Sequence, residues 1–96
     1  MQFKELKQEV ERLFEKIQEQ ASEGGLPDLE DVKQFARYCS LMQTRADEEW
    51  AEEVDDFMQL VHQLLQNVKN GNTEEIVQLL GSLEDTKNFC HRTFGV

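Results

Sequence analysis

Proline occurs once in this chain of 96 residues, glycine five times and cysteine twice. No apolar run approaches the length of a membrane span. The scarcity of proline removes the commonest helix breaker, and most of the glycines fall between patterned segments rather than inside them. Basic side chains are also few, ten Lys and Arg against twenty Asp and Glu, for a net charge of −10. Nucleic-acid binding begins with a basic footprint, so a phosphate backbone is not an expected partner. An anionic membrane surface is disfavoured for the same reason. There is no C-x-x-C pair, no H-x-x-x-H pair and no glycine-rich phosphate loop, and no nucleophile–base pair stands out from the acidic background. No catalytic residue and no metal site is therefore expected.

What remains is rich in Glu, Gln, Leu and Lys, all good helix formers, and the expected fold class is all-α. The chain is long enough for one domain, 1–96, with a modest core. Segment one, about Gln2 to Ala21, places Phe3, Leu6, Val10, Leu13 and Ile17 at 3-4-3-4 spacing, and Phe14 widens the stripe. Glu23-Gly24-Gly25 is a stop signal, and Asp28 is a candidate N-cap for the next element. Segment two, about Leu29 to Gln43, carries Leu29, Val32, Phe35, Ala36, Cys39 and Met42, flanked by Tyr38 and Leu41. Segment three, about Glu48 to Lys69, has the most regular seam: Trp50, Val54, Phe57, Val61, Leu64 and Val68, with Met58, Leu60 and Leu65 as a second row.

The join between segments two and three contains neither Gly nor Pro. A break is favoured because the seam of segment two, carried forward, meets Gln43, Ala46 and Glu53, and because Asp47 offers an N-cap. One long helix, giving a three-helix variant, is the alternative. Asn70-Gly71-Asn72 is a strong turn, and segment four follows from Thr73 with Ile76, Val77, Leu79, Leu80, Leu83, Cys90 and Phe94. Gly81 inside it marks either a close helix approach or room for something bound. Helices over about 2–22, 28–44, 47–70 and 73–93 with short connections predict an antiparallel up-down-up-down four-helix bundle.

The end of segment four reads "TKNFCHRTF". Cys90-His91 is the second half of the haem-attachment motif C-x-x-C-H, and Lys87 stands where the first cysteine belongs. A bundle whose last helix ends this way resembles the cytochrome c′ architecture. A narrower resemblance, to the bacterial XXXCH-domain proteins of unknown function, is carried by "GLPDLEDVKQF", "DEEW", "NGNTEE" and "LEDTKNFCHRTF" in that order. It implies a cytochrome-like bundle without an established haem, and no known reaction.

Read from the residues alone, Cys90 is expected to pack against Leu83 and Phe94 as a small buried apolar group, with His91 near the helix C-terminus. Cofactor binding through Cys90 and His91, as haem c on a single cysteine, is the alternative. Lys87 on the inner side of the helix and seams filled by large side chains weigh against it. A metal held by Cys90, His91 or His62 is disfavoured, since adjacent residues project about 100° apart on a helix. Residues 47–56 hold seven acids, read as a solvated face, or as a docking face for a basic partner. Phe14, Leu60 and Leu65 would form a partner surface if exposed. The segment near Met1 is amphipathic and unlike a signal peptide, so a cytoplasmic location with free thiols at Cys39 and Cys90 is expected. The functional expectation is a small soluble non-catalytic accessory or protein-interaction module, with a homodimer or protein partner.

Overall fold

A computed structural model describes residues 2–94, with side-chain environments for 2–92. Four α-helices pack into a bundle: α1 (Phe3–Ser22), α2 (Leu29–Thr44), α3 (Ala51–Asn70) and α4 (Thr73–Phe94), with a 3-10 turn at Glu48–Trp50 leading into α3. Consecutive helices pack on each other, and α4 returns to α1, so that four seams surround one core. The chain does break between the second and third segments. The last turn of α2 closes with Arg45 and Ala46 N–H groups donating to the Met42 and Gln43 carbonyls at 3.0 and 3.3 Å. Asp47 then starts the 3-10 turn through its backbone carbonyl, which accepts from Trp50 N–H at 3.1 Å, while its side chain makes no capping bond. The cap expected there is thus a backbone device.

The other helix ends follow their local chemistry. Asp28 caps α2, its Oδ1 accepting from Glu30 N–H at 2.8 Å, with Glu30 and Asp31 in the favourable first turn. Gly71 ends α3 at φ +74°, and Asn72 N–H donates back to the Asn67 carbonyl at 3.0 Å, a Schellman closure. Only glycine adopts that backbone without strain. Gly81 differs: it lies on the exposed side of α4 with nothing within 4 Å of where a Cβ would stand, so it marks no close approach.

The expected stripes form the core. Leu6, Leu13, Ile17, Val32, Phe35, Val61, Leu64, Ile76 and Leu83 are all but inaccessible to water, and no polar side chain is buried among the described residues. Phe14 is buried, stacked on Phe35 with ring centroids 5.6 Å apart, and Phe35 meets Phe57 edge-on at 6.4 Å. Leu60 and Leu65 are half-buried against this core. The partner surface that these three residues would have made if exposed therefore does not form. Val77, expected in the core, is 58% exposed because it falls one position outside the 76-79-80-83 stripe.

Three of the four seams are closed by apolar packing, whereas the α1–α4 seam has the fewest close approaches. A ladder of polar or charged pairs crosses it. Gln18 Nε2 donates to Glu84 Oε2 at 3.2 Å, the Lys87 ammonium lies 5.5 Å from the Phe14 ring centroid, and His91 Nε2 is 4.0 Å from Glu11 Oε1. The rungs descend α1 as they climb α4, as antiparallel helices require.

The two glycines give opposite expectations. Gly71→Ala should lower unfolding stability by about 1 kcal/mol, through strain in the left-handed region. Gly81→Ala should raise it by roughly 0.5–1 kcal/mol, by restricting the unfolded chain at a helix-interior site. Urea denaturation of both variants checks the pair.

Candidate functional site

At the end of the bundle that carries the start of α1 and the end of α4, the aromatic core does not fill the space between the helices. An almost wholly apolar cleft of about 80 Å³ remains. Its interior is made by Val10 and Phe14 of α1, Phe35 and Cys39 of α2, and Val54 and Phe57 of α3. Phe3, Met42 and Trp50 also line it, with the Phe3 and Trp50 rings in an edge contact at 6.3 Å. Lys7 and Glu11 from α1 and Lys87, Cys90 and His91 from α4 complete the lining along the α1–α4 seam.

The sequence expectation of filled seams is corrected here. Phe14 stacks on Phe35, which meets Phe57 edge-on, and the residues lining the cleft from α4 are Lys87, Cys90 and His91 rather than large apolar groups. Cys90 is half-buried in the cleft wall instead of fully packed, although Leu83, one of its expected neighbours, is fully buried below. The other expected neighbour, the side chain of Phe94, lies outside the described residues.

Lys87 was expected on the inner side of α4, and that is where it stands. Its ammonium is held over the Phe14 ring, a favourable place for a cation that must keep contact with water. Lys7 occupies the matching position on α1. A second seam, 3-7-10-14, runs beside 3-6-10-13 and contains Lys7, so its facing was legible in the spacing of the sequence. Of the ten Lys and Arg side chains, Lys7 and Lys87 alone are half-buried; the other eight are exposed.

The titratable groups fit this setting. The Cys39 thiol, 2% exposed, is pushed far above its ordinary range by burial. The Cys90 thiol is raised too, first by burial and then by the Glu53 carboxylate. Both are protonated thiols at neutral pH, the less nucleophilic form. The His91 imidazole is lowered, first by burial, then by Lys7 and also by Lys87, while Glu11 pulls the other way. At neutral pH His91 therefore faces Glu11 largely as a neutral ring, and their 4.0 Å approach is not a full ion pair.

His62 is exposed on α3 and distant in role from this site. Among the described residues no group of three His, Cys, Asp or Glu side chains could hold a metal ion. The cleft does bring Cys90 and His91 together with Cys39 and Met42. As folded, however, it does not fit a haem. Sites for ligands of that size hold roughly 300 Å³ or more, against the 80 Å³ found, and a lysine stands at the missing anchor.

The sign of the His91 effect gives a test. A base whose folded pKa lies below its unfolded value of about 6.5 adds stability above that value, and this is lost as pH falls through the folded pKa. Stability of the natural chain should thus fall more steeply below about pH 6.5 than that of His91→Gln. Denaturation series from pH 7.5 to 5.5 (about one unit either side of that value) read the difference. A shallower slope in the natural chain would mean that the Glu11 pairing dominates. No family model, no curated protein and no solved structure matches the chain, so the functional reading rests on the geometry of this cleft.

Proposed function

We propose that the chain is a non-catalytic accessory module that works by binding, and that its binding element is the cleft in the α1–α4 seam. The observation that carries this reading is the combination in one place of an apolar concavity, an opening along the loosest seam and the two half-buried lysines. Binding sites in helical bundles characteristically lie between helices and combine apolar walls with a few polar groups. The absence of a catalytic step in the proposal is supported by the raised thiols of Cys39 and Cys90, since a protonated thiol is a poor nucleophile.

The resemblance to XXXCH-domain and cytochrome c′ bundles agrees with this placement, because Cys90-His91 lies on the cleft wall. Single-cysteine attachment of haem c remains a second reading only if α1 and α4 separate well beyond their present spacing. No helix among the described residues is long and apolar enough to cross a membrane. A role that depends on a spanning helix is accordingly no part of the proposal.

The reading is tested with xenon, a small apolar probe of the kind that dry apolar cavities bind. Trp50 is the only tryptophan and lines the cleft, so heavy-atom quenching of its fluorescence reports location. Xenon should bind the folded chain with quenching of Trp50. Cys90→Phe, which fills the mouth, should weaken binding about ten-fold while helicity is kept, as for loss of roughly 1.4 kcal/mol of apolar contact. Leu41→Ala, which removes an exposed leucine that does not line the cleft, should leave xenon binding unchanged. Equal binding by the natural chain and Cys90→Phe would place the binding surface elsewhere.

A further inference from the structure

We infer that the cleft takes a small organic monoanion, a monocarboxylate with a short unbranched apolar tail, the tail seated against Phe14, Phe35 and Phe57 and the carboxylate held between Lys7 and Lys87. The inference rests on the reading of the cleft as a binding site and adds the chemistry of its occupant.

Three observations select that class. The first is charge. In a chain with twice as many acids as bases, the mouth of this cleft holds Lys7 and Lys87, and neither is ion-paired with a carboxylate among the described residues. Both side chains are partly buried in the mouth, where a cation gains from a nearby anion or aromatic face. Lys87 has the Phe14 ring for this purpose. Lys7 has no such partner described.

The second observation is the balance of the other charges. Glu11 is the one carboxylate among the described residues that lines the cleft, and it faces His91 across the seam. His91 is largely neutral near pH 7, so among the described lining residues two ammonium groups stand against one carboxylate, about one positive charge in surplus. Glu53, which faces Cys90 from the α3 side without lining the cleft, moderates this further. That surplus suits a monoanion, whereas a phosphate monoester or a dicarboxylate would bring more charge than the mouth can match.

The third observation is size. The cleft volume of about 80 Å³ is well below the ~150 Å³ of an apolar cavity that holds benzene. A short unbranched tail therefore fits where a ring does not, with its last carbons spanning the mouth to reach the lysines. A steroid, a porphyrin or a long acyl chain has no place in it. The aromatic walls are uninterrupted by any hydrogen-bonding group that a polar tail would need.

The test uses three probes of equal tail length, hexanoate, 1-hexanol and hexylammonium, titrated into the intact chain. Binding is followed by Trp50 fluorescence and by backbone amide shifts in nuclear magnetic resonance spectra. Hexanoate should bind about three- to ten-fold more tightly than hexanol, with the largest shifts at Lys7, Phe14, Lys87 and Cys90, and hexylammonium should bind least. The preference for hexanoate should shrink as salt is raised. In the Lys7→Gln, Lys87→Gln double variant, hexanoate and hexanol should become equal while hexanol binding persists. Hexylammonium binding as tightly as hexanoate, or a hexanoate preference that survives in the double variant, overturns the assignment of the anion and leaves the binding site standing. No binding of any of the three probes overturns the binding-site reading itself. Shifts at the same residues on concentrating the protein alone would identify the occupant as a second copy, and would also overturn the monocarboxylate.

Discussion

Two ammonium groups that must stay in contact with water hold one corner of this bundle open. Lys7 and Lys87 sit on inward-facing positions of α1 and α4, where a leucine at each would close the seam over Phe14. Withdrawing an ammonium fully from water costs several kcal/mol, more than the apolar burial that zipping one further turn of two helices would provide. The two helices therefore meet through a ladder of Gln18 with Glu84, Phe14 with Lys87 and Glu11 with His91, and pack least closely of the four seams. The cleft is the consequence of that compromise.

The other three seams supply the stability that lets this one stay loose. Buried side chains from all four helices form a continuous core, and the described residues leave no buried side-chain nitrogen or oxygen without a hydrogen-bond partner. Phe35 ties the arrangement together, fully buried, stacked on Phe14 and edge-on to Phe57. The same ring is part of the cleft interior. A ligand entering the cleft would thus meet a surface that is already fixed by core packing, which lowers the ordering cost of binding. The acidic exterior plays no part in that packing, and it leaves the two seam lysines as a local departure from the charge of the rest of the surface.

Much of the fold was legible in the sequence because amphipathic periodicity is a direct record of which side faces inward. The 50-54-57-61-64-68 seam of α3, the Asp28 cap and the Gly71 stop all lie where their chemistry places them. The break before α3 was legible from the failing seam at Gln43 and Ala46, although the capping was done by backbone rather than by the Asp47 side chain. Val77 was misplaced because an apolar residue one step from a stripe is hard to tell from a member of it. The cleft was missed for a different reason. The seams hold many large side chains, yet whether they fill a given corner depends on how the Phe14, Phe35 and Phe57 rings pack, which is set by tertiary structure. Lys87 faces inward as the spacing of α4 predicts, and Lys7 carries the same signal on the 3-7-10-14 seam; together they line the mouth.

The most direct measurement of that central claim is the double replacement Lys7→Leu, Lys87→Leu, with alkylation of Cys90 followed on the folded chain. If the lysines hold the seam open, their replacement lets α1 and α4 close over Phe14. Stability in urea should then rise by roughly 1–3 kcal/mol from the added apolar burial, and Cys90, half-buried in the natural chain, should become about ten-fold slower to alkylate. Unchanged Cys90 reactivity together with unchanged or lower stability would contradict the account, and would mean that the cleft is fixed by the aromatic packing rather than by the two charges.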